Sequence, residues 1–224
     1  LGALIAAPAS GKFTQARGPL AVVRTGLILE VIAMIGVGAT YSADATQLQF
    51  APWLLLFGAG IGLGTAQLVN VILRDVPVNK SGQASGTQST SRQVGTALGV
   101  AVLGAVLWTS LGSNLTTALQ KPGIGFSAQQ ASGVSDAVVQ SSGVIINANP
   151  EAVPADQLIS AQYGEAVQTA AEESFATATA YATYVGAGFV AVGVLGTVVG
   201  MRRRRDESDH SEEQPEAPLT HSET

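Results

Sequence analysis

The stretch Ser81 to Ser110, SGQASGTQSTSRQVGTALGVAVLGAVLWTS, decides the fold. It opens with small and polar residues, carries one charge at Arg92, and then runs to Trp108 without another, about the length that crosses the hydrocarbon core of a bilayer. The pattern predicts a membrane helix over about 84–109. Its polar first half places Gln88, Thr90, Arg92, Gln93 and Thr96 at or just inside one membrane face, where such groups need a partner or a water-filled cavity.

Outward from that stretch the chain repeats the same theme. Residues 51–73, APWLLLFGAGIGLGTAQLVNVIL, predict another crossing, with Trp53 near one end where an aromatic ring suits the interface. Residues 21–40 are apolar apart from Arg24 and Glu30, and residues 176–200 give a last crossing. The opening run, LGALIAAPAS, lacks a basic segment before it and reads as the truncated end of a further membrane helix. Residues 1–110 therefore hold that truncated helix and three crossings. The fold class is all-α, a polytopic transmembrane helix bundle.

The connections differ in character. Residues 11–26 read as a short basic loop around Gly18-Pro19, and RDVPVNK as a loop with a helix-breaking Pro77. Residues 111–175 form a long polar loop, partly helical, with Asp156 as a cap and Leu158, Ile159, Tyr163 and Val167 as an apolar stripe. The tail, 201–224, is too charged to bury a core and reads as disordered.

The mean hydropathy of +0.31 is modest for a membrane protein because this loop and this tail dilute it. The net charge of -5 comes largely from the same two regions, which hold thirteen of the sixteen acids, and an acidic balance argues against nucleic acid as a partner. Without cysteine there is neither a disulfide framework nor a thiolate metal site. The chain has no phosphate-binding loop, zinc-protease motif or nucleophile elbow, so neither a cofactor, nor a metal, nor an enzyme activity is expected.

Basic residues set the orientation, because cytoplasmic loops accumulate Lys and Arg. If successive crossings alternate, Lys12, Arg17, Arg24, Arg74, Lys80, Arg92 and Arg202 to Arg205 share one side, which is ten of the eleven bases; Lys121 is on the other. That topology puts the 111–175 loop outside and the C-terminus in the cytoplasm of a multi-pass plasma-membrane protein. The four arginines after Met201 act as a topology anchor at anionic headgroups.

Within the crossings, the glycine pairs Gly60 with Gly64 and Gly95 with Gly99 put small residues on one helix face, where backbones approach closely. Helix packing in one bundle explains them, as does a dimer seam. Glu30 lies midway along its crossing, where an ionised side chain is costly unless it is paired or wet. It is the carboxylate of a proton-coupled carrier, one member of a structural pair with an arginine, or an acid tucked near a lumen without coupling. Gln67 and Asn70 line a cavity or bond between helices. Arg92, with Gln93 beside it, either snorkels to the interface or takes part in a conformational cycle.

The run GAGIGLGTAQLVNVILRDVPVNKSGQASGTQSTSRQVGTALGVAVLG resembles the C-terminal part of EmrB/QacA-type drug exporters, the fourteen-helix proton antiporters of the major facilitator superfamily. The matching features are the glycine-rich helix, the Pro77 loop, Gly82-Gln83-Ala84-Ser85-Gly86 and Thr90-Ser91-Arg92-Gln93-Val94-Gly95. Gly11 and Gly18 also match a superfamily loop, whereas Gln15, Ala16, Pro19 and Leu20 depart from its charged pattern. The resemblance implies a C-terminal fragment of a major facilitator fold, working with a missing N-terminal half. It also implies proton-coupled efflux of drugs or small lipophilic molecules, and hence antibiotic resistance, with protons, a small-molecule substrate and the lipid bilayer as partners. The alternative is a non-transporting membrane anchor or sensor whose external loop binds a partner; a pure anchor has no use for Glu30 or Arg92 in the membrane.

Overall fold

The computed structural model describes residues 1–42, 44–73, 76–142, 144, 146, 159 and 163–212, the last thirteen as backbone. Its elements are α1 (Gly2–Arg17), α2 (Pro19–Thr40), α3 (Gln47–Leu73), a 3-10 turn at Val78–Lys80, α4 (Ser81–Leu119), α5 (Ala128–Gln140) and α6 (Glu165–Glu212). The described residues form no strand. Four segments are long and apolar enough to cross a membrane: Pro19–Thr40, Gln47–Leu73, Val78–Leu119 and Glu165–Val199. An all-α transmembrane bundle is thus what the sequence pattern led us to expect.

The basic loop predicted over 11–26 shrinks to a single residue. α1 continues to Arg17 because one interior glycine, Gly11, costs only about 1 kcal/mol of helix propensity. The break comes at Gly18, whose φ of 80° suits glycine, and Pro19 starts α2 at the position where its missing N–H costs nothing.

α4 is also longer than its crossing. Its 39 residues span about 58 Å at 1.5 Å per residue, well beyond the ~30 Å hydrocarbon core. Its C-terminal turns carry Leu111, Leu115 and Leu119, one stripe at four-residue spacing, into a packed cap. There α5 and the first turns of α6 pack over them through Ala131, Val134, Val138, Val167 and Ala171. A capping box at Ser127 and Gln130 starts α5, and the Ser135 hydroxyl donates to the Gly112 carbonyl at 2.9 Å, tying α5 to α4. Ile159 and Val167 of the expected apolar stripe enter this core, Tyr163 lies at its edge against Phe126, and Asp156 and Leu158 fall outside the described residues.

At the other end of α6 the backbone stays helical to Glu212, where the sequence pattern led us to expect disorder from 201. Extending an existing helix adds one bond per residue without a new nucleus, and Arg and Glu are good helix formers. Residues 213–224 lie outside the described ones, as do Arg74 and Asp75.

Side by side, α1 packs on α3, α3 on α2, α2 on α6 and α6 on α4, with α5 on α4. α3 and α4 meet over a short stretch only, which leaves a groove between them. Glycines set several of these contacts: Gly36 of α2 lies under the Trp53 ring of α3, and Gly38 faces the Tyr184 ring of α6. Trp53 therefore packs between helices at the end of α3 where the sequence placed an interfacial ring.

Candidate transport site

Glu30 is set by a glycine notch. A Cβ at Gly26 of α2 would lie 2.7 Å from the Gly60 carbonyl oxygen of α3, and one at Gly60 would lie 2.7 Å from Glu30 Cγ. Only glycines let the two backbones come this close. The Glu30 side chain passes over Gly60, and its Oε1 is 3.9 Å from the position a Gly64 Cβ would take. It is half-buried between α2 and α3, and among the described residues it forms no salt bridge. Of the roles the sequence left open, an arginine partner for this carboxylate is thus not found among those residues.

Gln67 and Asn70 belong to a different contact. The buried Gln67 amide donates to Ser10 Oγ of α1 at 3.2 Å, and Ser10 in turn donates to the Ala7 carbonyl at 2.7 Å. Asn70 Nδ2 donates to Gln67 Oε1 at 3.4 Å. Two buried polar side chains are satisfied by each other across the α1–α3 interface, where an unmet group in an apolar setting would be costly. Ser10 was missed from the sequence; its one signal was a hydroxyl in an otherwise apolar run.

Arg92 and Gln93 lie on neither contact. Both are exposed on α4. Arg92 lines the α3–α4 groove, a cavity of about 900 Å³ shared with Leu68, Ile72, Lys80, Gln83 and Thr87. On its other side Arg92 joins Gln93, Ser89 and Thr96 around a second hollow of about 600 Å³. These four candidates therefore fall in two places: Gln67 and Asn70 take the bond between helices, with Gln67 turned toward α1, while the α4 pair opens away from it. Lys80, Gln83 and Ala84 were also missed as lining, although 80, 84, 87, 88, 91 and 92 follow the three-and-four spacing of one helix face.

Gly60 and Gly64 lie at the α2–α3 contact, but Gly95 and Gly99 have no atom within 4 Å of where a Cβ would stand. Among the described residues their expected packing is not made. The exposed faces of α4 leave them open, since α6 covers the helix from another side.

Long apolar spans, a carboxylate in a glycine notch and a half-polar helix beside an open groove make up a polytopic membrane-helix bundle. The relatives point the same way. The chain is similar to the tetracenomycin C resistance and export protein of Streptomyces glaucescens, 30% identical over 49% of this chain and 20% of that protein. It is similar to a probable actinorhodin transporter of Streptomyces coelicolor, 31% identical over 42% of this chain and 16% of the relative. It also matches the multidrug resistance protein Stp of Mycobacterium tuberculosis, 27% identical over 52% of this chain and 21% of the relative. The resemblance to major-facilitator drug exporters is borne out by these matches. The chain spans about a fifth of the length of the curated relatives it matches. No protein-family model and no solved structure matches it.

Proposed function

We propose that this chain supplies the C-terminal helices of a plasma-membrane carrier that exports drugs or small lipophilic molecules in exchange for protons. Glu30 is the observation that carries this reading: among the described residues it is the one carboxylate midway along a crossing, half-buried in a notch of three glycines. In such a place a carboxylate can alternate between a neutral form that fits the apolar contact and an ionised form that needs water. Helices that rock against each other can present it to one side and then the other. Substrate and proton are exchanged when each binds the inward and outward states unequally.

The remaining length found in the relatives would complete the cavity, and the open glycines Gly95 and Gly99 would seat its helices. Arg92 and Gln93 then face the substrate path, while Ser10, Gln67 and Asn70 hold α1 to α3 through the cycle. Ten of the eleven bases on one side support a cytoplasmic C-terminus and an external cap. The test is efflux of a lipophilic dye from cells that lack their major pumps and express the complete protein, with and without a protonophore. Dye loss that stops when the gradient collapses is expected; efflux indifferent to the gradient would refute the coupling.

The cap favours a second reading, because its own buried core makes it a candidate receptor on a membrane anchor. Deleting α5 separates the two. Export that survives the deletion leaves the cap accessory to transport; loss of a bound external partner with no export activity to lose would favour the anchor.

A further inference from the structure

The α3–α4 groove has a chemical character that the exporter reading leaves open. One wall is apolar, formed by Leu68, Ile72, Val76 and Pro77, and the other is the polar face of α4. Its volume of about 900 Å³ falls in the range of small-molecule sites, ~300–1,000 Å³. The charged side chains on its lining are Lys80 and Arg92, and no carboxylate lines it among the described residues. Neither base forms a salt bridge among those residues. Counting the adjacent Arg74 and Asp75 from the sequence, the segment 74–92 holds three bases and one acid, so its sign does not depend on those two.

The backbone adds to this field. The first turn of α4 holds no acidic residue and no side chain caps it, so the partial positive charge of the helix start is uncompensated beside the groove. Twelve residues separate Lys80 from Arg92, about 18 Å along the helix. The short connection between α3 and α4 puts Val76 and Lys80 at one end of the groove, which we take as its mouth, and Arg92 lies about three turns along α4.

We propose that this groove receives an amphipathic organic anion as the exported substrate, its apolar body against Leu68 and Ile72 and its acidic group on Arg92. This rests on the exporter reading and narrows it. Lys80 at the mouth draws the anion from water, where fields of one sign raise local concentration. Arg92 suits a carboxylate or sulfonate because its planar fork can donate two parallel hydrogen bonds. A lipophilic cation would meet two like charges there, with no carboxylate on the lining among the described residues.

The test reconstitutes the complete protein in phosphatidylcholine vesicles under an imposed proton gradient. Two fluorescent aromatic dyes of opposite charge, anilinonaphthalene sulfonate and ethidium, are followed in parallel. The sulfonate should be transported with the lower KM, and Lys80→Gln or Arg92→Gln should cut the ratio of sulfonate to ethidium transport about tenfold. Arg92→Lys should restore part of that ratio, which a purely structural Arg92 would not do. Transport of ethidium in preference to sulfonate overturns the proposal and leaves the exporter reading intact. Equal losses for both dyes in the two Gln variants also overturn it. A defect that tracks added phosphatidylglycerol and not dye charge assigns the groove to a lipid headgroup instead. Failure to move either dye, in wild-type protein whose fold is confirmed by circular dichroism, contradicts the exporter reading, and the proposal falls with it.

Discussion

Leu115 and Leu98 lie on one helix, α4, yet Leu115 has no exposed surface and Leu98 is 61% exposed. The same contrast separates the cap from the spans. In the cap, leucines, valines and alanines from α4, α5 and α6 close over one another. In the spans, Ile28, Ile32 and Ile35 of α2 and Phe189, Val192 and Leu195 of α6 stay largely exposed. Water forces the first arrangement, because apolar surface left in it costs about 25 cal/mol per Å². Lipid removes that demand, and helix contacts then depend on close approach at small residues. We infer that a single chain follows two solvents, with the boundary in the middle of α4 and α6.

Truncating one leucine on each side of that boundary sharpens the contrast most. Leu115→Ala should destabilise the cap by about 2–5 kcal/mol, since a fully buried leucine leaves a cavity. Leu98→Ala should stay within about 0.5 kcal/mol, as surface substitutions do. Thermal unfolding of the complete protein in detergent, with protease resistance of the cap as a second readout, compares them. Similar losses would mean that Leu98 is covered in the complete protein and that the exposed face of α4 is an interface.

The glycine contacts give the next largest effect. Gly60→Ala forces a methyl against the Gly26 carbonyl and Glu30, and overpacking of this kind costs about 1–3 kcal/mol. In Gly95→Ala the added methyl meets nothing within this chain, so stability should hold or rise slightly. A loss at Gly95 as large as that at Gly60 would place another helix against α4. Smallest is Ser135→Ala, which removes the bond to Gly112 and should cost about 1 kcal/mol, read as a shift of the same unfolding curve.

Legibility in the sequence followed the same divide. The spans could be read because hydropathy and length act locally: residues 51–73 announce themselves without any knowledge of neighbours. The α1–α2 break was misread because three bases from Lys12 to Arg24 look like a loop, whereas no strong breaker stands between Lys12 and Gly18. The cap was half legible. Val167 and Ile159 showed a stripe, but the leucines at 111, 115 and 119 looked like loop residues because the charge-free helix had already spent its membrane length.

At the site, position along the chain was readable and direction was not. Glu30 stood out as an acid in an apolar run, yet the notch that receives it needs Gly60 and Gly64 from another helix. Gln67 and Arg92 both read as cavity residues, and only the helix order shows that one turns to Ser10 and the other to the open groove. A side chain's face depends on which neighbour its helix meets, and no local pattern records that.

The proposed coupling is best examined through Glu30→Gln, which keeps the shape of the side chain in its glycine notch and removes the titratable group. Complete protein, wild type and variant, would be reconstituted in vesicles, and dye accumulation driven by an imposed pH gradient compared with dye binding at equilibrium. Gradient-driven accumulation should fall about tenfold or more in the variant while binding persists. Accumulation equal to wild type would contradict a coupling role for Glu30.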